Sequence, residues 1–193
     1  MKMKILTGLA FILILSACNN RSVERVDPKS QIDLSGKWND TDAKLVAKEM
    51  IADVIARPWI TNFETKSGKK PVVIIGLVKN KTHEHIDPEI FIKDMEKEFI
   101  NTGLVRVVQA GEHRNQLREE RDDQQTFSSE ETKKNWGLEL GADFMMQGTM
   151  NSIVDEYKKE KVVLYKINLE LVNLQTNEKV WIGDKEVKKY IKN

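Results

Sequence analysis

The chain has 193 residues, with 31 Lys and Arg against 30 Asp and Glu, a formal net charge of +1, 40% hydrophobic residues and a single cysteine. So even a balance leaves no basic footprint for nucleic acid or for an anionic membrane surface. One thiol excludes a disulfide framework, and the size suits one domain with a short extension.

Lys2 and Lys4 precede an almost unbroken apolar stretch, Ile5 to Leu15. That stretch is too short to span a bilayer, which takes roughly 20 apolar residues, and reads as an export signal. Leu15-Ser16-Ala17-Cys18 has the form of a lipobox. Small side chains fit a peptidase groove, and the thiol is the nucleophile that takes a diacylglyceryl group in thioether linkage. The expectation is a lipoprotein signal peptide over residues 1–17, cleavage before Cys18, and diacylglyceryl and acyl (palmitate) chains on that cysteine. Two or three chains make a stable anchor, at roughly 0.8 kcal/mol per buried methylene. The 31 basic residues less Lys2 and Lys4 leave 29 against 30 acidic ones, and a mature chain without a free thiol has no thiolate catalysis or cysteine metal site.

Residues 18–37 are polar, with Pro28 and Gly36 and too few apolar residues for a packed face. They read as a flexible linker, reaching on the order of 70 Å when extended. One domain is expected over residues 38–193. Asp40 or Thr41 caps a helix whose apolar residues Ala43, Val46, Ala47, Met50, Ile51, Val54 and Ile55 recur at three- and four-residue steps. Arg57-Pro58 ends it. Trp59, Ile60 and Phe63 are expected to pack on a sheet.

Val72 to Val78 is a continuous, mostly β-branched run, expected to be a central strand covered on both faces. Asp87-Pro88 opens a helix with the stripe Phe91, Ile92, Met95 and Phe99, and Gly103 closes it. Leu104 to Val108 is the next strand, and strand, helix, strand in that order predicts a partly parallel sheet. Gly111 to Gln125 is poor in apolar residues and is either a solvated helix or a mobile loop. Ser128 with Glu131 forms a capping-box pattern for a further helix, carrying Trp136 and Leu140 inward and ending near Gly141. Asp143 to Ile153, Val162 to Leu174 and Lys179 to Val187 are strands of an antiparallel meander, with Gln175-Thr176-Asn177-Glu178 as the last turn. The fold class is α/β: a small mixed sheet of about four to five strands with helices packed on it.

Little points to chemistry. His83, Glu84, His85, Asp87 and His113 could supply zinc ligands, but no second segment offers a matching pair, and a polar loop between strand and helix is the reading preferred. No metal site and no cofactor are expected. The glycines form neither a dinucleotide fingerprint nor a phosphate loop, and Glu119, Glu120, Asp122 and Asp123 read as a solvated face. The expectation is a binding module without catalytic residues or a small-molecule substrate.

Three blocks in order, Gly36-Lys37-Trp38-Asn39-Asp40-Thr41-Asp42, Lys70-Pro71-Val72-Val73-Ile74-Ile75-Gly76 with Asn80-Lys81-Thr82, and Ala142-Asp143-Phe144-Met145-Met146-Gln147-Gly148, resemble the LpoB-like outer-membrane lipoproteins, activators of bifunctional (class A) penicillin-binding proteins. The resemblance runs from Gly36 to about Trp181. It implies a non-catalytic partner of a peptidoglycan synthase, acting in cell-wall synthesis and cell shape, anchored in the outer membrane and facing the periplasm. It also implies a small α/β fold similar to the TolB N-terminal domain. The best-known members carry a long Pro- and Gln-rich tether, whereas this chain has only the short stretch after Cys18. Asn19 is not the aspartate that signals inner-membrane retention, which favours the outer membrane.

The docking face is expected on the loop Asn80 to His85 and the charged segment Glu112 to Asp123, with Asn80, Lys81, His83, His85, Arg114, Arg118 and Arg121 as contact residues, because loops on a rigid scaffold carry binding. Two other readings stand beside this one. One is a subunit of a curli-type lipoprotein secretion or assembly complex, against which stands the lack of an extra amphipathic hairpin. The other is a metal-dependent periplasmic enzyme using His83, His85 and His113.

Overall fold

The computed structural model describes residues 22–28, 30–132 and 138–192; the expected export signal, Cys18 and Trp136 lie outside them. The chain divides into two units, residues 1–31 and 32–193. The described part of the first has no helix or strand, and its Ser30 amide and hydroxyl donate to the Asp27 carbonyl. All regular elements among the described residues belong to the second.

Helix α1 (Asp40–Ile55) is capped by Asn39 rather than by Asp40 or Thr41. The Asn39 side chain accepts from the Asp42 amide at 3.1 Å and the Asp42 carboxylate accepts from the Asn39 amide at 2.9 Å, a reciprocal capping box. The predicted stripe from Ala43 to Val54 is buried. Helix α2 (Trp59–Ser67) starts directly after Pro58, and Trp59 and Phe63 meet Phe144 edge-on, at 5.0 and 5.2 Å between ring centroids, which is the sheet packing expected of them.

Strand β1 (Val72–Lys81) feeds helix α3 (Pro88–Thr102), with Asp87 accepting from the Glu89 amide and Gly103 at φ 65° closing the helix in the left-handed region. Phe91, Met95 and Phe99 are buried, as the stripe requires. Strand β2 (Arg106–Val108) follows; it is shorter than Leu104 to Val108, and Leu104 stays exposed. Helix α4 (Gly111–Phe127) resolves the charged stretch as a helix, none of whose residues is buried. Strands β3 (Phe144–Tyr157), β4 (Glu160–Asn173) and β5 (Lys179–Lys192) complete the chain, and β3 and β5 run past their expected ends.

The sheet order is β2-β1-β3-β4-β5, with β1 parallel to both neighbours and the β3–β4 and β4–β5 pairs antiparallel. This is the mixed α/β sheet expected. Helices α1 and α3 pack against each other, α1 also on β5 and α3 on β1 and β2. Their shared core takes in Val73, Ile75, Met146 and Met150 and the inward side of β4, from Val163 through Tyr165 to Leu171.

Two expectations are corrected. Strand β1 is covered on both faces only at its start: Val72 to Ile75 are buried, but within the irregularity between Ile75 and Val78 the Leu77 side chain is 70% exposed. Helices α1 and α3 cover one face of the sheet, so the β-branched run overstated the burial. Nor does Ser128 open a new helix. Its amide donates to the Gln124 carbonyl and ends α4, residues 130–132 form a turn, and Leu140 is 41% exposed in an irregular segment. Residues 133–137, with Trp136, lie outside the described residues.

Candidate functional site

The turn after β1 is organised by Asn80. Its amide donates to the carbonyls of Glu84 (2.8 Å) and Ile86 (3.1 Å), and its side-chain oxygen accepts from the Thr82 amide and hydroxyl. All four contacts lie within the loop, so this side chain holds the loop's shape. His83 is tied to β3 through Ser152 Oγ, 2.7 Å from its Nδ1. Lys81 and His85 are exposed.

The fixed loop presents Glu84 to the interior. One carboxylate oxygen accepts from the Tyr165 hydroxyl at 2.6 Å and the other from the Trp38 amide at 3.2 Å. Tyr165 is fully buried on β4 with Trp38 edge-on at 5.5 Å. Burial, then the hydrogen bond to Glu84, pushes the Tyr165 hydroxyl well above the ordinary tyrosine range.

Beside it, Lys189 of β5 donates to Asp33 (2.9 Å), to the Lys37 carbonyl (2.8 Å) and to Asp42 (2.6 Å), and its side chain is only 10% exposed. Burial pulls the ammonium down, but the hydrogen bonds to Asp42 and Asp33 outweigh it and hold the group above its usual value. Gly36, at φ +67°, sits against Ile191 with no room for a Cβ. Residues 33–38 thus form a strap across the ends of β4 and β5, with ordered contacts starting ahead of Trp38.

Strap, loop and the first turn of α3 enclose a cleft of about 890 Å³, floored by β3 and β4. Its apolar lining includes Trp38, Ile86, Ile90 and Val154, and its charged lining includes Lys37 and Lys161. His83 and His85 stand at its edge.

The second predicted segment lies elsewhere. Arg114 donates to the Gln109 carbonyl at 2.9 Å, Arg118 grips both oxygens of Glu139 at 2.8 Å, and Arg121 reaches the same carboxylate at 3.2 Å. The hydrogen bond from Arg118 holds the Glu139 carboxyl below its ordinary value. Arg114 and Arg121 border a smaller cavity of about 420 Å³ with Ile74, Met145 and Leu174, on the sheet face that α1 and α3 leave uncovered. The loop and the arginine helix therefore do not line one cleft.

His113 faces Glu89 at 3.3 Å, whereas His83 is bound to Ser152. Among the described residues no group of three or more His, Cys, Asp or Glu could hold a metal ion, and no buried side-chain nitrogen or oxygen lacks a partner. No helix among the described residues is long and apolar enough to cross a membrane. Sequence spacing could not single out Glu84, Tyr165, Asp33 and Lys189, because the bonds joining them close over separations of 81 and 156 residues.

The chain is similar to the LpoB C-terminal domain from Salmonella enterica (15% identity, TM-score 0.45, covering 76% of this chain and 98% of that one) and to its Escherichia coli counterpart (15% identity, TM-score 0.47, the same coverage). It is also similar to lipoprotein GNA1162 from Neisseria meningitidis, at 10% identity and TM-score 0.40, covering 62% of this chain and 83% of that one. No curated protein sequence matches it. The family model described as peptidoglycan-synthase activator LpoB matches residues 42–187. That span takes in most of α1, strands β1 to β4 and β5 as far as Val187, and on it the chain belongs to the LpoB family of peptidoglycan-synthase activators.

Proposed function

We propose that this protein is anchored in the outer membrane through lipid on Cys18, faces the periplasm, and binds and activates a bifunctional penicillin-binding protein. The single observation that carries this reading is the family match over residues 42–187. Activation needs no catalytic group of its own: a rigid domain that docks on a synthase shifts its conformational equilibrium by binding one state better than another. Polypeptide contact suits what the domain offers, a cleft walled by a fixed loop and strap together with a charged helix. The exposed members of the predicted docking set, Lys81, His83 and His85, remain in the proposal as contacts, along with Arg118 and Arg121. Asn80 and Arg114 support it by shaping the loop and by fixing α4.

A tether that ends ahead of Asp33 is the version of the expected linker that the contacts of the folded unit support. With Asp33, Gly36 and Lys37 held by the folded unit, the stretch from Asn19 to Ile32 spans at most about 50 Å when extended. The lipid then confines activation to synthases that extend toward the membrane.

The test is a glycan polymerisation assay with the purified chain and class A penicillin-binding proteins of the same organism, with fractionation of Cys18→Ala beside it. Stimulation of at least one synthase, and loss of the chain from the membrane fraction on Cys18→Ala, are expected. No stimulation of any of them would sink the reading.

A further inference from the structure

We propose that the projecting end of β3, β4 and β5 docks on the surface of the bilayer that holds the lipid of Cys18. The inference rests on the lipid anchor proposed above and adds to it a membrane contact made by the folded unit itself.

Strand register makes this end a tongue. The last β1 pair is Lys81 with Asn151, whereas β3, β4 and β5 stay paired as far as Tyr157, Glu160 and Lys192. From residue 151 to residue 157, three strands run on without β1, over about 20 Å. Ile153 pairs with Leu164 and Tyr190 with Val162, the β4 residues that alternate with the buried Val163 and Tyr165. Ile153, Tyr157 and Tyr190 therefore stand on the face that α1 and α3 leave uncovered, and they are 66%, 72% and 61% exposed. Large apolar and aromatic side chains bare on one end of a sheet mark a surface that something covers.

The place where the tether joins the fold says what covers it. Lys189 holds Asp33 and the Lys37 carbonyl, and Gly36 sits against Ile191, so the strap crosses the same strand ends. Leu34, between those contacts, is almost fully exposed. A chain leading from lipid on Cys18 thus enters the folded unit beside the tongue. A short flexible linker supplies an effective concentration on the order of millimolar, so a surface of modest intrinsic affinity is enough to dock.

The side chains suit the boundary between water and acyl chains. Tyrosine offers an apolar ring with a polar hydroxyl at headgroup depth. Lysine lays an apolar stem along a surface and keeps its ammonium in water; here Lys158 Nζ lies 5.1 Å from the centre of the Tyr157 ring. Net charge has the smaller part, because Asp155, Glu156 and Glu160 offset much of Lys158, Lys159, Lys161, Lys188 and Lys192. Docking through apolar and aromatic groups is therefore expected to persist when salt is raised.

Lipidation consumes the single cysteine of the chain, so one introduced thiol takes a fluorescent label selectively. The experiment labels the full mature chain, purified with its lipid, at Lys159→Cys on the β3–β4 hairpin or at Gln175→Cys in the turn at the opposite end of β4. Each is placed on vesicles of phosphatidylethanolamine and phosphatidylglycerol in equal parts and quenched with aqueous iodide. Quenching at 159 is expected to be severalfold weaker than at 175. Tyr157→Ser combined with Tyr190→Ser, with circular dichroism to confirm folding, is expected to bring the two positions level.

Equal quenching at both positions on a vesicle-bound chain overturns the docking and leaves the anchor intact. Shielding at 159 that survives the double serine variant overturns the assignment to these side chains. Shielding that appears only once a synthase is added gives the tongue to protein contact and overturns the lipid surface. A mature chain that does not stay with the vesicles overturns the anchor and the inference together.

Discussion

Tyr165 donates its hydroxyl to Glu84 at 2.6 Å, joining the inward face of β4 to the loop after β1. The same carboxylate receives the Trp38 amide, so one acid holds strand, loop and strap together. The ring is fully buried, and the loop is otherwise held by short-range bonds of Asn80 and Thr82 and by His83 on Ser152 of β3.

Removing the hydroxyl tests that junction. Tyr165→Phe keeps the packing against Trp38 and loses a charge-assisted hydrogen bond, for an expected cost of about 1.5–3 kcal/mol. Urea unfolding followed by far-ultraviolet circular dichroism measures it. A midpoint equal to that of the parent would remove Glu84 from its role as the fastener.

Lys189 supports the strap from the other side. Lys189→Met leaves Asp42, whose side chain is only 9% exposed, without its cation, at an expected cost of about 3 kcal/mol. Arg118→Ala, by contrast, breaks a solvent-exposed pair with Glu139 and leaves the denaturation midpoint unchanged. Parallel guanidinium titrations compare the two.

Alkaline pH should loosen the same region. Burial and the bond to Glu84 raise the Tyr165 hydroxyl, and bonds to Asp42 and Asp33 raise Lys189 against the pull of burial. In both cases the folded chain keeps a proton that the unfolded chain gives up earlier. Their stabilising contribution is fully present below about pH 10, the ordinary range of both groups, and is lost as pH rises through the higher folded values. Urea midpoints between about pH 8 and pH 11 should fall toward the alkaline end, and fall less in Tyr165→Phe.

Two glycines give a steric contrast. A Cβ at Gly148 would run into the Asn168 carbonyl and the Leu169 side chain on the neighbouring strand, whereas one at Gly141 meets nothing within 4 Å. Gly148→Ala is expected to destabilise by about 2–3 kcal/mol through forced separation of β3 and β4, and Gly141→Ala to leave the melting temperature unchanged. Thermal denaturation of the pair reads both.

The elements that periodicity identified are those with one buried stripe. Ala43 to Val54 and Phe91 to Phe99 repeat at helical spacing because each faces the sheet, and Val163 to Leu171 alternate because β4 has one covered face. Helix α4 left two readings open because it buries nothing: its nine charged or histidine side chains between Glu112 and Asp123 are compatible with helix or loop until the backbone bonds are counted. Val72 to Val78 misled in the other direction, since a β-branched run looks the same whether one face or both are covered, and Leu77 proved to face solvent.

The docking set shows the same division. The residue types in the loop and on α4 made them candidates, but only the fold showed that Asn80 serves its own loop, that Arg118 and Arg121 share Glu139, and that the two segments border different cavities.

By itself the sequence determined the element types, the strand, helix, strand order and the family blocks, because these depend on near neighbours and on repeating side-chain character. The tertiary structure alone decided which charged groups pair with one another. Glu84 with Tyr165, and Lys189 with Asp33, meet across 81 and 156 residues, and no local pattern records a pairing that exists only once the sheet has brought its strands together.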